Sequence, residues 1–559
     1  MKDLLCRMAL CALSTSSLLA SADETEENFS QVAMLIPGRA GGFADIPSDT
    51  ELEARRARIG RIQVVIDDVF ESTLSLTAPY RMVNALHVTT RTATVNQQLL
   101  FRPGDAFKRR ILDETARILR DQRYFADAYI ETQQYNERDN TVDVLVHVHD
   151  VWTMSPGISF GRKGGENSAK IEFEDTNFLG LGKTIFAKRS SDVDRSAWEL
   201  GYVDPHVLGS WWKLTGSYST LSDGSSGEFA FGRPFYSLDS RWSAGVTLLD
   251  SDLTTPRYAL GKEIERFRAL QRSFGFDGGV SHGLEDGSTT RYLFGVRHDA
   301  RAFAATIDDP DALIPDERRY TYPYVGIQWI EDAYVTTRNL DQIGRTEDLH
   351  LGRSLTATIG FASTAFGSTN DAMILTAEGG AGIDFGNEQY AIGDFALSSR
   401  LESGGLRNAQ LDLGARYYKR QSEHRVLFAG MAASFSSALD EEVQLMLGGD
   451  SGLRGYPLRY QAGTSRAMFT LEERFYTNWQ LLKLANVGAA AFVDAGRMWG
   501  EDRFAPPPEG WLTDVGVGLR LGSARSGLGN ILHVDIAFPL NRDNGIDGLQ
   551  LLIETKKSF

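Results

Sequence analysis

From Gly157 to the C-terminus the chain is a long series of short segments in which apolar and polar residues alternate. Ser168–Thr176, Thr184–Ser190, Glu228–Phe235, Arg291–Arg297, Tyr322–Trp329, Leu355–Phe361, Gln410–Tyr418 and Val426–Ser434 all read this way. Turn pairs such as Asp223-Gly224, Asp286-Gly287, Gly404-Gly405 and Asn544-Gly545 fall between such segments. A period of two predicts strands with two unlike faces, and the turn residues predict antiparallel hairpins. No run approaches the roughly 18 apolar residues of a spanning helix, but strands of a membrane barrel hide their hydrophobicity in alternation. Many alternate positions are Trp, Tyr, Phe, Leu or Val, where the outward face of a soluble sandwich would be polar. Trp211, Trp212, Trp329, Trp479, Trp499 and Trp511 lie near segment ends, as an interfacial girdle would need. A spanning strand with its share of turn takes about 25 residues, so the pattern predicts a mainly β chain. Its residues 152–559 form a transmembrane antiparallel barrel of about 16 strands.

The pattern changes upstream. In residues 59–151, Ile62, Val64 and Ile66 alternate, and so do Val142, Val144, Val146 and Val148. Between them Ile111, Leu112, Ala116, Ile118 and Leu119 share one face of a helix near Lys108–Gln122. This predicts a small α+β domain in the order strand, helix, helix, strand, strand. Residues 1–22 read as a secretory signal: Lys2 and Arg7, an apolar core from Met8 to Leu19, and Ala20-Ser21-Ala22 at the cleavage site. Residues 23–58 read as a flexible acidic lead-in.

Charge and cysteine count narrow the chemistry. A net charge of −16 argues against nucleic acid, whose phosphates need a basic surface. Both cysteines, Cys6 and Cys11, lie in the leader, so the exported chain is expected to hold no disulfide, thiolate metal site or cysteine nucleophile. Gly449-Asp450-Ser451-Gly452 resembles the nucleophile segment of trypsin-like proteases, but no helper His motif accompanies it. His147 and His149 share a strand face with only Asp150 nearby, which is too few ligands for a metal. His533 and Asp535 also share a face, yet Ala537-Phe538-Pro539-Leu540 continues as a barrel strand. The chain is read as no enzyme, with no cofactor and no metal.

One stretch carries distinctive chemistry. Leu447–Tyr460 holds Gly448, Gly449, Gly452 and Gly455 around one arginine, Arg454. Such a cation needs an anionic partner once it leaves water. Glu472 and Asp494, in strand-like runs downstream, are the candidates. Leu453-Arg454-Gly455-Tyr456, Leu471-Glu472 and Phe492-Val493-Asp494-Ala495-Gly496 together resemble the loop and strand motifs of the Omp85 superfamily of outer-membrane barrels (the BamA/TamA-like surface antigens). Asn177-Phe178-Leu179-Gly180-Leu181-Gly182 is similar to an early barrel hairpin of that family. Phe101-Arg102-Pro103-Gly104-Asp105 and Tyr124-Phe125-Ala126-Asp127-Ala128 resemble a POTRA domain.

The resemblance implies that the loop folds into the lumen and that Arg454 locks onto Glu472 and Asp494. It implies a C-terminal assembly signal at Phe559. It also implies a weakly paired seam between Gly157–Lys163 and Gln550–Phe559, where client strands add. The POTRA domain would lie in the periplasm and bind extended client polypeptides at a sheet edge. Outer-membrane lipids, and periplasmic chaperones or lipoproteins, complete the implied partners. The implied function is assembly or translocation of polypeptides. The alternatives are a two-partner-secretion exporter of one dedicated protein, or a passive pore.

Overall fold

The computed structural model describes residues 46–69, 87–482, 484–523, 525–526, 530–541 and 546–556. The predicted leader, the first part of the lead-in, Asn544-Gly545 and Phe559 lie outside the described residues. Contrary to expectation, a helix, α1 (Asp49–Ala54), forms in the stretch expected to be flexible. Its Leu52 is fully buried in the domain core. Its Glu53 carboxylate accepts the Arg109 backbone N–H at 2.8 Å, at the start of a later helix that has no side-chain cap of its own.

Next come β1 (Arg58–Asp67), α2 (Thr92–Asn96), α3 (Arg109–Arg120), β2 (Phe125–Asn136) and β3 (Thr141–Asp150). The sheet order is β1-β3-β2, with β1 parallel and β2 antiparallel to the central β3. Val142, Val144, Val146 and Val148 all point to one face and bury against Leu112, Ala116 and Leu119 of α3. His147 and His149, on the other face, both approach Asp67, at 2.6 and 3.6 Å. β2 is an edge strand.

Among the described residues no helix is long and apolar enough to cross a membrane. Instead, twenty strands among the described residues close into one antiparallel barrel, from Met154–Lys163 to Gln550–Lys556. The expected number was about 16. The length rule failed because many turns are minimal: six strands fit between Met154 and Arg233, where the rule allots about three. On the outer face Leu248, Phe274, Val325, Leu471, Val493, Val517 and Phe538 are exposed, while their sequence neighbours point inward. Trp242 and Trp479 stand at one rim, and Trp499 and Trp511 at the other, with exposed rings. An apolar belt between two aromatic rows is the surface a bilayer selects. Four strands among the described residues, Trp242–Ala259, Lys262–Glu285, Ser288–Ala305 and Gly405–Ser422, run 18 to 24 residues and overshoot that belt.

The α+β domain docks on one rim, through the glycine-rich turn 177–182. The Gly180 carbonyl accepts the Arg91 N–H at 3.0 Å and the Thr94 hydroxyl at 2.8 Å. A Cβ on Gly180, whose φ is +72°, would stand 2.5 Å from the Thr89 carbonyl oxygen. Glycine is required there by the approach of the two backbones. Arg123 forks onto Glu174 at 2.7 and 2.9 Å, and Glu114 accepts the Leu238 N–H at 2.7 Å, extending the contact along the rim.

Candidate functional site

The loop around Arg454 enters the barrel from the rim opposite the α+β domain. Its stem is a two-stranded ladder, Leu445–Leu447 with Gln461–Gly463. A Cβ on Gly448 would lie 2.5 Å from the Pro457 carbonyl and 2.7 Å from the Arg459 nitrogen, so the two sides of the loop can close only over a glycine. The Ser451 hydroxyl accepts the Gly448 N–H at 2.7 Å and donates to the Gly448 carbonyl at 3.0 Å. Ser451 therefore braces the turn, and among the described residues its hydroxyl is bonded to the Gly448 backbone and to no base.

Leu453 and Tyr456 are fully buried on either side of the arginine. Gly455 passes so close to the wall that a Cβ would sit 2.6 Å from the Asp514 Cβ. The Tyr456 hydroxyl accepts the Thr513 N–H at 3.0 Å and faces the carbonyls of Thr513 (2.9 Å) and Asn541 (3.0 Å) as donor. Gly496 contributes space: a Cβ there would press on Leu453 and Leu447 at 3.1 and 3.2 Å.

Arg454 itself makes a fork to Asp494, Nε to Oδ2 at 2.7 Å and Nη2 to Oδ1 at 2.9 Å. Its Nη1 donates to Glu472 Oε2 at 2.9 Å, and its guanidinium carbon lies 3.2 Å from the centre of the Phe492 ring. The three residues singled out in the sequence are thus in direct contact.

Sequence reasoning missed the rest of the network. Arg474 donates to the other Glu472 oxygen at 3.0 Å. Arg520 pairs with Asp535 and lies 3.6 Å from Glu472, and Asp535 is 3.8 Å from Arg454. All six side chains are at most 7% exposed, so three cations face three anions out of water, with the buried Asp514 carboxyl beside Asp494. Balance of this kind is what makes buried charge tolerable. Arg520 and Asp535 are lone charges at inward parity in apolar strands, in Val517-Gly518-Leu519-Arg520 and His533-Val534-Asp535, and Arg474 shares the inward parity of Glu472 in Glu472-Glu473-Arg474. That parity was the available signal.

A second segment enters the lumen from the domain side. Between the strands Arg318–Glu331 and Ser354–Ala362 the chain makes a small hairpin, Tyr334–Arg338 paired with Thr346–His350. At its tip Leu340 and Ile343 are buried against Tyr418, Tyr476 and Ile531 of the inner wall. Asp341 accepts the Tyr418 hydroxyl at 2.8 Å and lies 3.3 Å from Arg474. An unbroken chain of charges, Asp341–Arg474–Glu472–Arg454, therefore joins the two insertions.

Glu347 holds the tip together by accepting the N–H groups of Leu340 (2.8 Å) and Asp341 (2.9 Å). Burial pushes its carboxyl from an ordinary 4.5 up to about 7. A carboxyl raised in the folded state contributes stability that is full below pH 4.5 and lost as pH climbs through 7. Amide exchange at 340–343, corrected for the intrinsic rate, should be faster at pH 8 than at pH 5, and Glu347→Gln should flatten that difference.

The loop also reaches the first strands. Leu458 packs on the turn at Gly164, Arg459 donates to Asp194 at 2.7 Å, and the Gly261 N–H donates to the Arg459 carbonyl at 3.1 Å. It thereby spans the barrel's closure from inside. That closure is slight. Among the described residues, the strands Met154–Lys163 and Gln550–Lys556 face each other at one residue pair, Arg162 and Ile553, beside a Lys163–Glu554 ion pair of 2.9 Å. The adjoining pair of strands is matched from Ile531 through Ala537.

A closed antiparallel barrel, apolar outside and filled with buried charge inside, defines a transmembrane β-barrel of the outer-membrane kind. Residues 177–556 match the Omp85 superfamily domain, and the chain belongs to the Omp85 superfamily. Solved structures similar to it include BamA from Haemophilus ducreyi lacking POTRA domains 1–3. That likeness has 13% identity over 89% of this chain and 84% of the other, with a TM-score of 0.38. CdiB from Acinetobacter baumannii is similar at 12% identity over 90% of this chain and 73% of that one, with a TM-score of 0.45. A Treponema pallidum chain described as an outer membrane protein assembly factor is 27% identical over 127 residues. That match covers 22% of this chain and spans 15% of the relative's length.

Proposed function

We propose that the protein assembles or translocates client polypeptides at the bacterial outer membrane, using its barrel seam as the point of strand exchange. The observation that carries this reading is the contrast at the closure: among the described residues, one facing residue pair between the first and last strands, with a buried loop bracing both sides. A sheet edge held by so little backbone pairing is an available template for another strand. The α+β domain, read as a single POTRA domain in the periplasm, offers the open edge of β2 to extended chains. Its rim contacts keep gathered clients near the barrel mouth. The chain does this without covalent chemistry.

A passive pore is disfavoured because two segments cross the lumen, one from each rim. Export of one dedicated protein is a narrower form of the same activity. Depletion of the protein followed by outer-membrane proteomics separates these readings. Loss of many unrelated barrels is expected of a general assembly factor, and loss of one surface protein of a dedicated exporter. Unchanged barrels with altered solute permeability would leave only a pore.

A further inference from the structure

The hairpin in the domain-side mouth is tied to the α+β domain by a residue that also occupies the edge of β2. Arg120, near the end of α3, forks onto Asp348 of the hairpin, with Nε and Nη2 each at 2.7 Å. Its remaining nitrogen, Nη1, donates to the Ala128 carbonyl of β2 at 2.7 Å. Two residues along, the Ile130 carbonyl accepts from Arg109 Nη1 at 3.2 Å. A carbonyl turned toward β3 would lie within the sheet, out of reach of these side chains, so both face the open edge. Alternate carbonyls on an edge are the acceptors an added strand needs. Two guanidinium groups stand where its N–H groups would come.

The rest of the contact has the same character. The Thr346 hydroxyl of the hairpin donates to Asp127 at 2.8 Å. Arg117 covers the Tyr334 ring, 4.1 Å from its centre, and reaches Asp332 at the hairpin's root at 3.3 Å. Between β2, α3 and the hairpin strand Tyr334–Arg338 lies a groove of about 480 Å³ lined by Arg109, Arg120, Ile130, Glu131, Tyr334 and Thr336. That is room for a few residues of extended chain.

We infer that the hairpin Tyr334–His350 is a stopper of the barrel, latched by Arg120, and that an extended polypeptide adding to β2 releases it. The incoming strand takes the Ala128 and Ile130 carbonyls, so Arg120 loses the acceptor that holds it across from Asp348. The hairpin then keeps its tip contacts in the lumen, the Arg117 contacts at its root and the Arg420 bonds to Thr337 and Arg338, but not the fork that ties it to the edge of β2. The coupling is reciprocal: a strand on β2 loosens the stopper, and loosening the stopper strengthens binding on β2. This rests on the reading that extended polypeptides are the clients.

The test uses the full chain in lipid nanodiscs and planar bilayers, with the peptide Val-Thr-Val-Thr-Val-Thr-Lys-Lys as probe. Two readouts are hydrogen exchange at 127–131 (the β2 edge) and at 339–345 (the hairpin tip); the third is channel conductance. Asp348→Asn, which leaves the α+β domain intact, should speed exchange at the tip at least five-fold and raise the open probability without peptide. Arg120→Ala should do the same. In the wild type the peptide should protect 127–131 and speed exchange at 339–345; in Asp348→Asn it should protect the edge without further loosening the tip.

Wild-type exchange and conductance in Asp348→Asn would overturn the latch. Protection of the edge with no change at the tip would overturn the coupling while leaving the client reading intact. No protection at 127–131 would overturn the trigger, and the fault would then lie with the proposed client site.

Discussion

Arg454→Ala is expected to destabilise the assembled barrel by about 3–5 kcal/mol, the usual cost of removing one partner from a buried ion group. The arithmetic of charge explains why the effect is large. With Arg454 gone, Asp494 keeps the Thr470 hydroxyl at 2.9 Å and the neighbouring Asp514 carboxyl but no cation in contact among the described residues, and Glu472 keeps Arg474 and the more distant Arg520. Asp494 and Asp535 are fully buried, so neither can recover its loss from water. The measurement is the temperature at which the folded, fast-migrating form in unheated electrophoresis converts to the unfolded one. Arg454→Lys should fall between wild type and alanine, because an ammonium cannot reproduce the fork onto Asp494 while also reaching Glu472. Arg454→Met combined with Asp494→Asn should cost less than the two single changes added, since the double variant leaves fewer unpaired charges. A wild-type transition and wild-type client delivery in Arg454→Ala would remove the lock from the account.

The parts of this molecule that were legible from sequence share a reason. Period-two alternation declares a strand whatever its surroundings, which is why Val142–Val148 and the barrel segments could be read directly. The contact of Arg454 with Glu472 and Asp494 was legible because three short motifs named both ends of it. Strand number was not legible, because it depends on turn length, and turns such as Gly164-Gly165 carry no mark of where the next strand ends. The hairpin Tyr334–His350 was missed for a related reason. Its two five-residue strands, Tyr-Val-Thr-Thr-Arg and Thr-Glu-Asp-Leu-His, are short and carry no apolar alternation, and the pairing of Tyr324–Ile330 with Ser354–Gly360 around them is what sets the hairpin apart from the wall. Arg474, Arg520 and Asp535 needed the register of four strands before they could be seen to converge. Asp535 was visible as a lone inward charge, but nothing in one strand says what stands opposite it.

These two hidden elements change what the lock can be. If Arg454 met only Glu472 and Asp494, the loop would be pinned to two strands and nothing more. With Arg474 shared between Glu472 and Asp341, the loop on one side and the hairpin on the other compete for one set of charges. Withdrawal of the hairpin removes Asp341 and the Leu340 carbonyl from Arg474, which keeps its bond to Glu472 and its place over the Phe428 ring. That shift alters the field on Arg454 without any movement of the loop itself. An event at the domain-side mouth thereby reaches the segment that braces the seam.

The seam is where the second large effect is expected. Arg162→Cys with Ile553→Cys places two thiols at a facing pair between the first and last strands. Cα atoms of facing antiparallel residues lie about 4.5–5.5 Å apart, within the span of a disulfide. Oxidation should join the strands covalently while leaving the apolar belt and the Arg454 network as they are. If clients exchange through the seam, delivery is expected to fall to background in the oxidised protein and to return on reduction, with each single cysteine variant active throughout. The alternative route runs through the lumen and needs both insertions to move, so it would be untouched by this bond. Continued delivery by the fully oxidised barrel would therefore sink strand exchange at the seam and favour passage through the lumen. The ion pair beside it gives a graded control. Lys163→Ala removes a partly exposed contact worth about 0.2–1 kcal/mol, too little to open a closure that the loop still braces through Leu458, Arg459 and Tyr456. Together the two variants separate a seam that is merely weak from one whose weakness is used.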